Sequence, residues 1–418
     1  MDPVFAAQYL NMKDAFSREA IQIEVAYTPT GEVHHIYEAG HLLAVDSDET
    51  FAQLEPILPQ LRHTDPQDRP RSGNLVVLSL SDVEDGNLTV AQALERIDGE
   101  LGDDNPALAE GGVPLASPVH IVHISKICPA GEPEVPSGYP AQPWPGPSPA
   151  GEGGHHVKIG VSDTGLLQPL DAAQYPWLAG VAGDPDHLGP VQPNGQPAIP
   201  EYAGHGTFVA GVARCVAPGA DMYVNNHFTM SGGVREDVII RKLEELILNY
   251  EPDVINLSAG TYTRGNWAPL SFFYFHQRHP ELTLVAAAGN DSTNRRFWPA
   301  AFPWTVGVGA LATDQRNRAW FSNYGDWVDV YALGEGMVNA YATGEYIYKE
   351  PPKRPARQDF AGMARWDGTS FSAPLVAGLI GAEISRTGDP APVAKDAVLA
   401  TAREIPGVGP ALFPPGVA

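Results

Sequence analysis

From Val157 onward, short apolar runs alternate with stretches of helical period, and that alternation restricts the folds open to this chain. Val157, Ile159 and Val161 form a strand that stops at Asp163. Asp221 to Val224, Val254 to Leu257, Leu282 to Ala287, Thr305 to Val308 and Val328 to Tyr331 read as further strands. Between them Thr207 to Arg214, Val234 to Tyr250 and Trp267 to His279 read as helices. In the second, Ile239, Leu243, Leu246, Ile247 and Tyr250 recur on one face. Strands separated by helices pair in parallel and are covered on both sides, which predicts a doubly wound parallel α/β sheet. Sites in such sheets lie beyond the carboxyl ends of the strands. Asp163 ends one strand and Asn290 follows another, while His205 and Ser370 each open a helix. All four are therefore expected at one crevice.

A serine hydroxyl is a weak nucleophile until a base takes its proton. A histidine can be that base, a carboxylate can orient it, and an amide can hold the oxyanion. Singly, each residue has a plainer reading. An Asp after a strand caps a turn, a His between glycines sits in a loop, and Gly-Asn and Gly-Thr-Ser are common in turns and helix caps. Together they read Val161-Ser162-Asp163-Thr164-Gly165, Gly204-His205-Gly206-Thr207, Ala286-Ala287-Ala288-Gly289-Asn290 and Gly368-Thr369-Ser370-Phe371-Ser372-Ala373-Pro374. These segments, in this order, resemble the subtilisin-like serine proteases, or subtilases. The resemblance covers residues 155 to 405.

The resemblance implies a serine endopeptidase with Ser370 as nucleophile, His205 as base and Asp163 as its orienter. Asn290 and the Ser370 N–H would bind the oxyanion. Ser231-Gly232-Gly233 resembles the family's edge for substrate residues upstream of the cut, and Ser258-Ala259-Gly260 the opposite edge. Ala286 to Gly289 would wall the pocket for the residue preceding the cut, Ala288 and Gly289 among the substrate-binding residues, and their small side chains suggest a roomy one. The same acyl-enzyme would serve a peptide ligase or macrocyclase. A non-enzymatic scaffold blocked by its own first domain is the third reading.

Before this region the pattern is mixed. Residues 1–20 carry little signal and read as an N-terminal extension. Residues 21–127 alternate strands (Ile21 to Val25, Val33 to Tyr37, Leu42 to Val45, Asn74 to Leu80, Val119 to Ile124) with helices (Glu49 to Leu61, broken by Pro56 and Pro59, and Thr89 to Leu101). That suggests a small α+β domain of ferredoxin-like type. Its place before a subtilase-like region resembles a pro-domain, which in that family templates folding and occupies the cleft; the plainer reading is an accessory or dimerisation domain. Residues 128–154, with Pro129, Pro133, Pro136, Pro140, Pro143, Pro145, Pro147, Pro149, Gly151, Gly153 and Gly154, read as an extended linker and a natural place for a processing cut, expected within 125–155. Residues 155–418 form the catalytic domain in this scheme.

Acidic residues outnumber basic ones 50 to 26, a formal charge of -24, which argues against nucleic acid or an anionic membrane surface as partner. A peptide or protein substrate, and the chain's own N-terminal domain, are the partners expected. Cys128 and Cys215 exclude a disulfide scaffold but not a single bridge, and read better as free thiols. With no signal-peptide pattern and no 18-residue apolar run, the chain reads as cytoplasmic. No cofactor is expected. Asp184 and Asp186, in a loop-rich insertion, invite calcium but lack a recognisable ligand spacing and read better as solvated. The adjacent pairs His34-His35 and His155-His156 do not suggest a metal site. Between Tyr341 and Asp367, Lys349, Lys353, Arg354 and Arg357 among Pro351, Pro352 and Pro355 read as a solvated basic loop near the cleft entrance.

Overall fold

The computed structural model describes residues 3–59, 62–63, 73–82, 88–109, 112–124, 131–138, 141–149, 154–192, 195–229, 231–351 and 353–414. Leu61, Cys128, Pro129, Pro140, Gly151, Gly153 and Pro352 lie outside the described residues.

The chain opens with helix α1 (Pro3–Arg18), where no regular element was expected. Phe5, Met12 and Phe16 recur on one face and are buried against Ile23, Ile36 and Ile121. Most of the stability of a helix of this length comes from such docking rather than from its own propensity. Then come β1 (Ile23–Tyr27), β2 (Val33–Val45), α2 (Asp48–Leu54), β3 (Arg62–His63), β4 (Leu75–Ser79), α3 (Val90–Leu101) and β5 (Ala116–Ile124). The two strands expected between Val33 and Val45 are one, β2, whose pairing with β5 shifts register between Tyr37 and Leu42. The helix expected to reach Leu61 ends at Leu54, just before Pro56. Thr89 caps α3 in a reciprocal capping box with Gln92. Leu42 and Ala44 of β2 face α2 and α3, while Leu43 faces the other way onto Leu270. Period-two alternation along β2 thus ties this sheet to the second half of the chain.

The second half contains β6 (Lys158–Asp163), β7 (Ala182–Gly183), β8 (Ala198–Ile199), α4 (His205–Val216), β9 (Asp221–Asn226), β10 (Gly233–Arg235), α5 (Glu236–Tyr250), β11 (Val254–Leu257), β12 (Ala259–Gly260) and α6 (Leu270–Arg278). It continues with β13 (Thr283–Ala287), β14 (Thr305–Leu311), β15 (Val330–Leu333), β16 (Met337–Ile347), β17 (Arg357–Trp366), α7 (Thr369–Thr387), α8 (Ala391–Leu399), β18 (Arg403–Ile405) and β19 (Gly409–Ala411). The large sheet runs β18-β19-β15-β14-β13-β11-β6-β9-β7, and its neighbours are parallel except β18 with β19. Every residue of β11 and β13 is buried, as strands covered on both faces must be. The doubly wound α/β reading is correct.

Residues 341–367 are not a solvated loop. Most belong to the antiparallel hairpin β16–β17, whose Tyr341, Tyr346, Phe360 and Trp366 are buried in the main core beside α4. The Pro/Gly-rich stretch is fastened to this hairpin. Glu134 and Arg365 exchange backbone hydrogen bonds, as do Trp144 and Val338. The buried Glu132 accepts from Tyr346 Oη at 3.0 Å and Lys349 N at 2.7 Å. Cys215 is a buried free thiol.

Glu132, Glu201 and Glu350 are all buried where this stretch, the hairpin and α1 meet. Asn11 Nδ2 donates to Glu201 at 2.5 Å, and Gln8 Nε2 donates to Glu350 at 3.0 Å. Burial, with the Glu132 charge nearby, pushes the Glu201 carboxyl up to about 7. A carboxyl raised on folding favours the folded state fully below its unfolded value near 4.5, and that contribution is lost as pH rises toward about 7. Across that window the contribution is on the order of 3 kcal/mol. Thermal midpoints of wild type and Glu201→Gln measured from pH 4.5 to 8 should therefore diverge, wild type falling more steeply. Parallel profiles would refute this role.

Candidate active site

Asp163 is the last residue of β6, and its carboxylate is buried. Its Oδ1 accepts from the Thr164 amide at 2.8 Å and lies 2.7 Å from His205 Nδ1. His205 is the first residue of α4, slightly before Thr207, where the helix was expected to begin. Gly206 makes the approach possible, since a Cβ there would stand 2.4 Å from Gly165 O and 3.2 Å from Asp163 Cβ. The imidazole is 2% exposed and packs edge-on against Trp366 and against Phe371, at 5.3 and 5.4 Å between ring centres. Phe371 directly follows Ser370, so the packing of α4 on α7 brings the imidazole and the serine to one place.

Ser370 stands in the first turn of α7, where backbone N–H groups have no acceptor within the helix. Its hydroxyl donates to Ser258 O at 3.3 Å rather than to His205. The Ser258 hydroxyl in turn donates to Ser370 O at 2.8 Å and accepts from Asn256 Nδ2 at 2.9 Å. Asn290 Oδ1 accepts from both the N–H and the hydroxyl of Thr369, at 3.0 and 2.8 Å. With its oxygen so engaged, the Asn290 amide presents its Nδ2 donor beside Gly368 and Ser370, 3.5 Å from where a Gly368 Cβ would stand. The arrangement can activate a hydroxyl and hold a developing oxyanion.

The two expected substrate edges are both paired, and by the chain's own β5. Gly233 pairs with His123, and Ala259 and Gly260 pair with Ile124 and His123, all antiparallel. Ile124 N donates to Gly232 O at 2.9 Å. Ser231 lies just before β10, its hydroxyl 2.9 Å from that of Thr229. Further along β5, His120 is buried on Glu236, whose carboxylate lies 2.9 Å from its backbone N and 2.7 Å from its Nδ1. The Gly131 carbonyl accepts from the indole of Trp366, the ring that packs on His205. Ala288 and Gly289 are held by Asn323, which donates to Ala288 O at 2.8 Å, and by Thr369, whose hydroxyl accepts from Gly289 N at 3.1 Å. The ring of Phe297 lies beside both Gly260 and Gly289 and is fully buried, where small side chains alone suggested open space.

Several supports were not legible in the sequence. Asn323 is fully buried and its Oδ1 accepts from Asp291 N and Thr293 N, so it shapes the loop that carries Asn290. Asp186 is not simply solvated. It accepts from Thr164 Oγ1 and Gly204 N, at 3.1 and 2.7 Å, tying the neighbours of Asp163 and His205 together. Desolvation pushes its carboxyl up to about 7. Asp184 accepts from Tyr223 Oη, Asn225 Nδ2 and Asn226 N, so both carboxylates are occupied by protein donors. The local signals, an Asn in a loop and two carboxylates in a loop-rich insertion, do not name their partners. Among the described residues no group of His, Cys, Asp and Glu is arranged to hold a metal, and no helix is long and apolar enough to cross a membrane.

The subtilase family model matches residues 154–407. Subtilisin NAT of Bacillus subtilis subsp. natto is 30% identical over 241 residues, covering 54% of this chain and 54% of that protein. Subtilisin Savinase of Lederbergia lenta is 30% identical over 235 residues, covering 54% of this chain and 75% of that protein. The chain thus spans about half the length of the first of these relatives. The crystal structure of fervidolysin from Fervidobacterium pennivorans covers 90% of this chain and 60% of its own at a TM-score of 0.54 and 19% identity, which shows a shared fold. Because the family model matches more than half of its length, this chain belongs to the subtilase family.

Proposed function

We propose that this chain is a serine endopeptidase in which Ser370 attacks the scissile carbonyl of a peptide. His205 takes the hydroxyl proton and passes it to the leaving amine, Asp163 holds the imidazole in the tautomer that leaves Nε2 free, and Asn290 Nδ2 with the Ser370 N–H receives the oxyanion. The observation that carries this is the buried 2.7 Å contact between Asp163 and His205, whose ring packs on Phe371, the residue next to Ser370. In this reading the Ser370 hydroxyl turns from Ser258 O to His205 when substrate arrives; catalytic hydrogen bonds often tighten only then.

The N-terminal region, in the same reading, is an inhibitor in cis. β5 bonds to both edges that a substrate strand would use, and its pairing with them supports that role. The pairing also favours a second reading, a subtilase-fold scaffold that is permanently blocked. Incubation of the full chain with a fluorophosphonate separates the two. Labelling at Ser370, located by peptide mass mapping and abolished in His205→Ala, is the expected result. A chain that never labels, before or after any processing, would be the blocked scaffold. The product masses from a model peptide then tell hydrolysis from transfer to an amine.

A further inference from the structure

Two glycines point to the residue that sets substrate preference. Gly260 ends β12, one wall of the pocket beside Ser370, and Gly289 precedes Asn290 in the other wall. A Cβ on Gly260 would stand 2.4 Å from Phe297 Cε1 and 2.7 Å from its Cδ1, and one on Gly289 would stand 3.1 Å from the same Cδ1. One edge of one ring therefore touches both walls. Phe297 is 0% exposed, so the ring is lodged between them.

The ring is also held there. Thr261, next after Gly260, exchanges backbone hydrogen bonds with Trp298 at 2.8 and 2.9 Å, which ties the Phe297 segment to that wall. The Tyr262 ring lies 5.0 Å from Phe297 and is itself fixed, its hydroxyl donating to Asp291 at 2.8 Å and accepting from Asn323 at 3.0 Å. Close-packed rings in such a frame do not yield to a second large group without strain.

We propose that Phe297 is the specificity-determining residue: it fills the volume between the two walls and restricts the residue preceding the cut to glycine, alanine or serine. This rests on the endopeptidase reading of the same cleft. It agrees with the chain's own sequence, in which the residue after the cleft-bound Ile124 is Ser125.

The test uses two small esters that need only Ser370 and this pocket, the p-nitrophenyl esters of N-acetyl-alanine and N-acetyl-phenylalanine. Full-length wild type, Phe297→Gly and Phe297→Val are compared, with Ser370→Ala as the blank. Fluorophosphonate labelling is scored first. Wild type should turn over the alanine ester at least about 10²-fold better in kcat/KM, beyond what a single methylene group discriminates. Phe297→Gly should reduce that ratio below about tenfold, with Phe297→Val between; if the glycine variant does not fold, the wild-type ratio and the valine variant decide. A wild type that takes both esters equally, or prefers phenylalanine, overturns the proposal. So does labelling at Ser370 with neither ester turned over, because an alanine-sized pocket must admit alanine. Failure to label at all sinks the endopeptidase reading instead, and the pocket assignment falls with it.

Discussion

Ser370→Ala should leave the chain intact where the wild type is cut between Ile124 and Gly131. Ile124 is bonded to Gly232 and paired with Ala259, while Gly131 is held by the Trp366 indole that packs on His205. One point is tied to the strand that follows Ser258 and the other to the ring beside His205, so the cut expected in or near 125–155 is predicted between them. Turnover of added peptide should fall by at least about 10⁴-fold, the remainder being the work of oxyanion binding alone. Adding His205→Ala to Ser370→Ala should cost little more, because the two act as one unit. Intact mass and N-terminal sequencing read the cut. A variant cut at the same place as wild type would mean that another protease does the work; an uncut but fully active wild type would make the N-terminal region an accessory domain.

Asp163→Asn should separate rate from stability. The amide keeps the shape, but it can offer His205 Nδ1 an N–H instead of an acceptor, and the imidazole then settles in the wrong tautomer. A loss of about 10⁴-fold in kcat/KM is expected, close to 5 kcal/mol of transition-state stabilisation. Stability should change little, because the amide has the shape of the carboxylate and Asp163 Oδ2 is buried with no hydrogen-bond partner among the described residues to lose. Thermal melts beside peptide kinetics make the comparison. A rate loss under about tenfold would show that His205 is not oriented by this carboxylate. A melt lowered in proportion to the rate would assign Asp163 to the fold.

The range of each interaction explains why some features were legible and others were not. Asp163, His205, Asn290 and Ser370 each sit at a strand end or helix start that local pattern marks, so elements and order could be read together. The break of α2 at Pro56 and the capping of α3 by Thr89 are likewise local. Other features involve partners far along the chain. Helix α1 forms on Ile36 and Ile121. β2 stays one strand through Glu38-Ala39-Gly40 because its register with β5 slips there, which no apolar alternation announces. The hairpin β16–β17 looked like a loop because its charged residues cluster near the turn, while its aromatic residues face α4.

The sequence alone determined the doubly wound sheet and the family and singled out the four residues proposed for the site, since strand and helix periods and the residues that punctuate them are written within a dozen positions. Tertiary structure decided that β5 lies along both edges expected to take substrate, that buried glutamates fasten α1 and the Pro/Gly-rich stretch around the hairpin, and that a phenylalanine ring packs beside Gly260 and Gly289. Those outcomes depend on which surfaces meet, and packing between segments a hundred or more residues apart has no period to read.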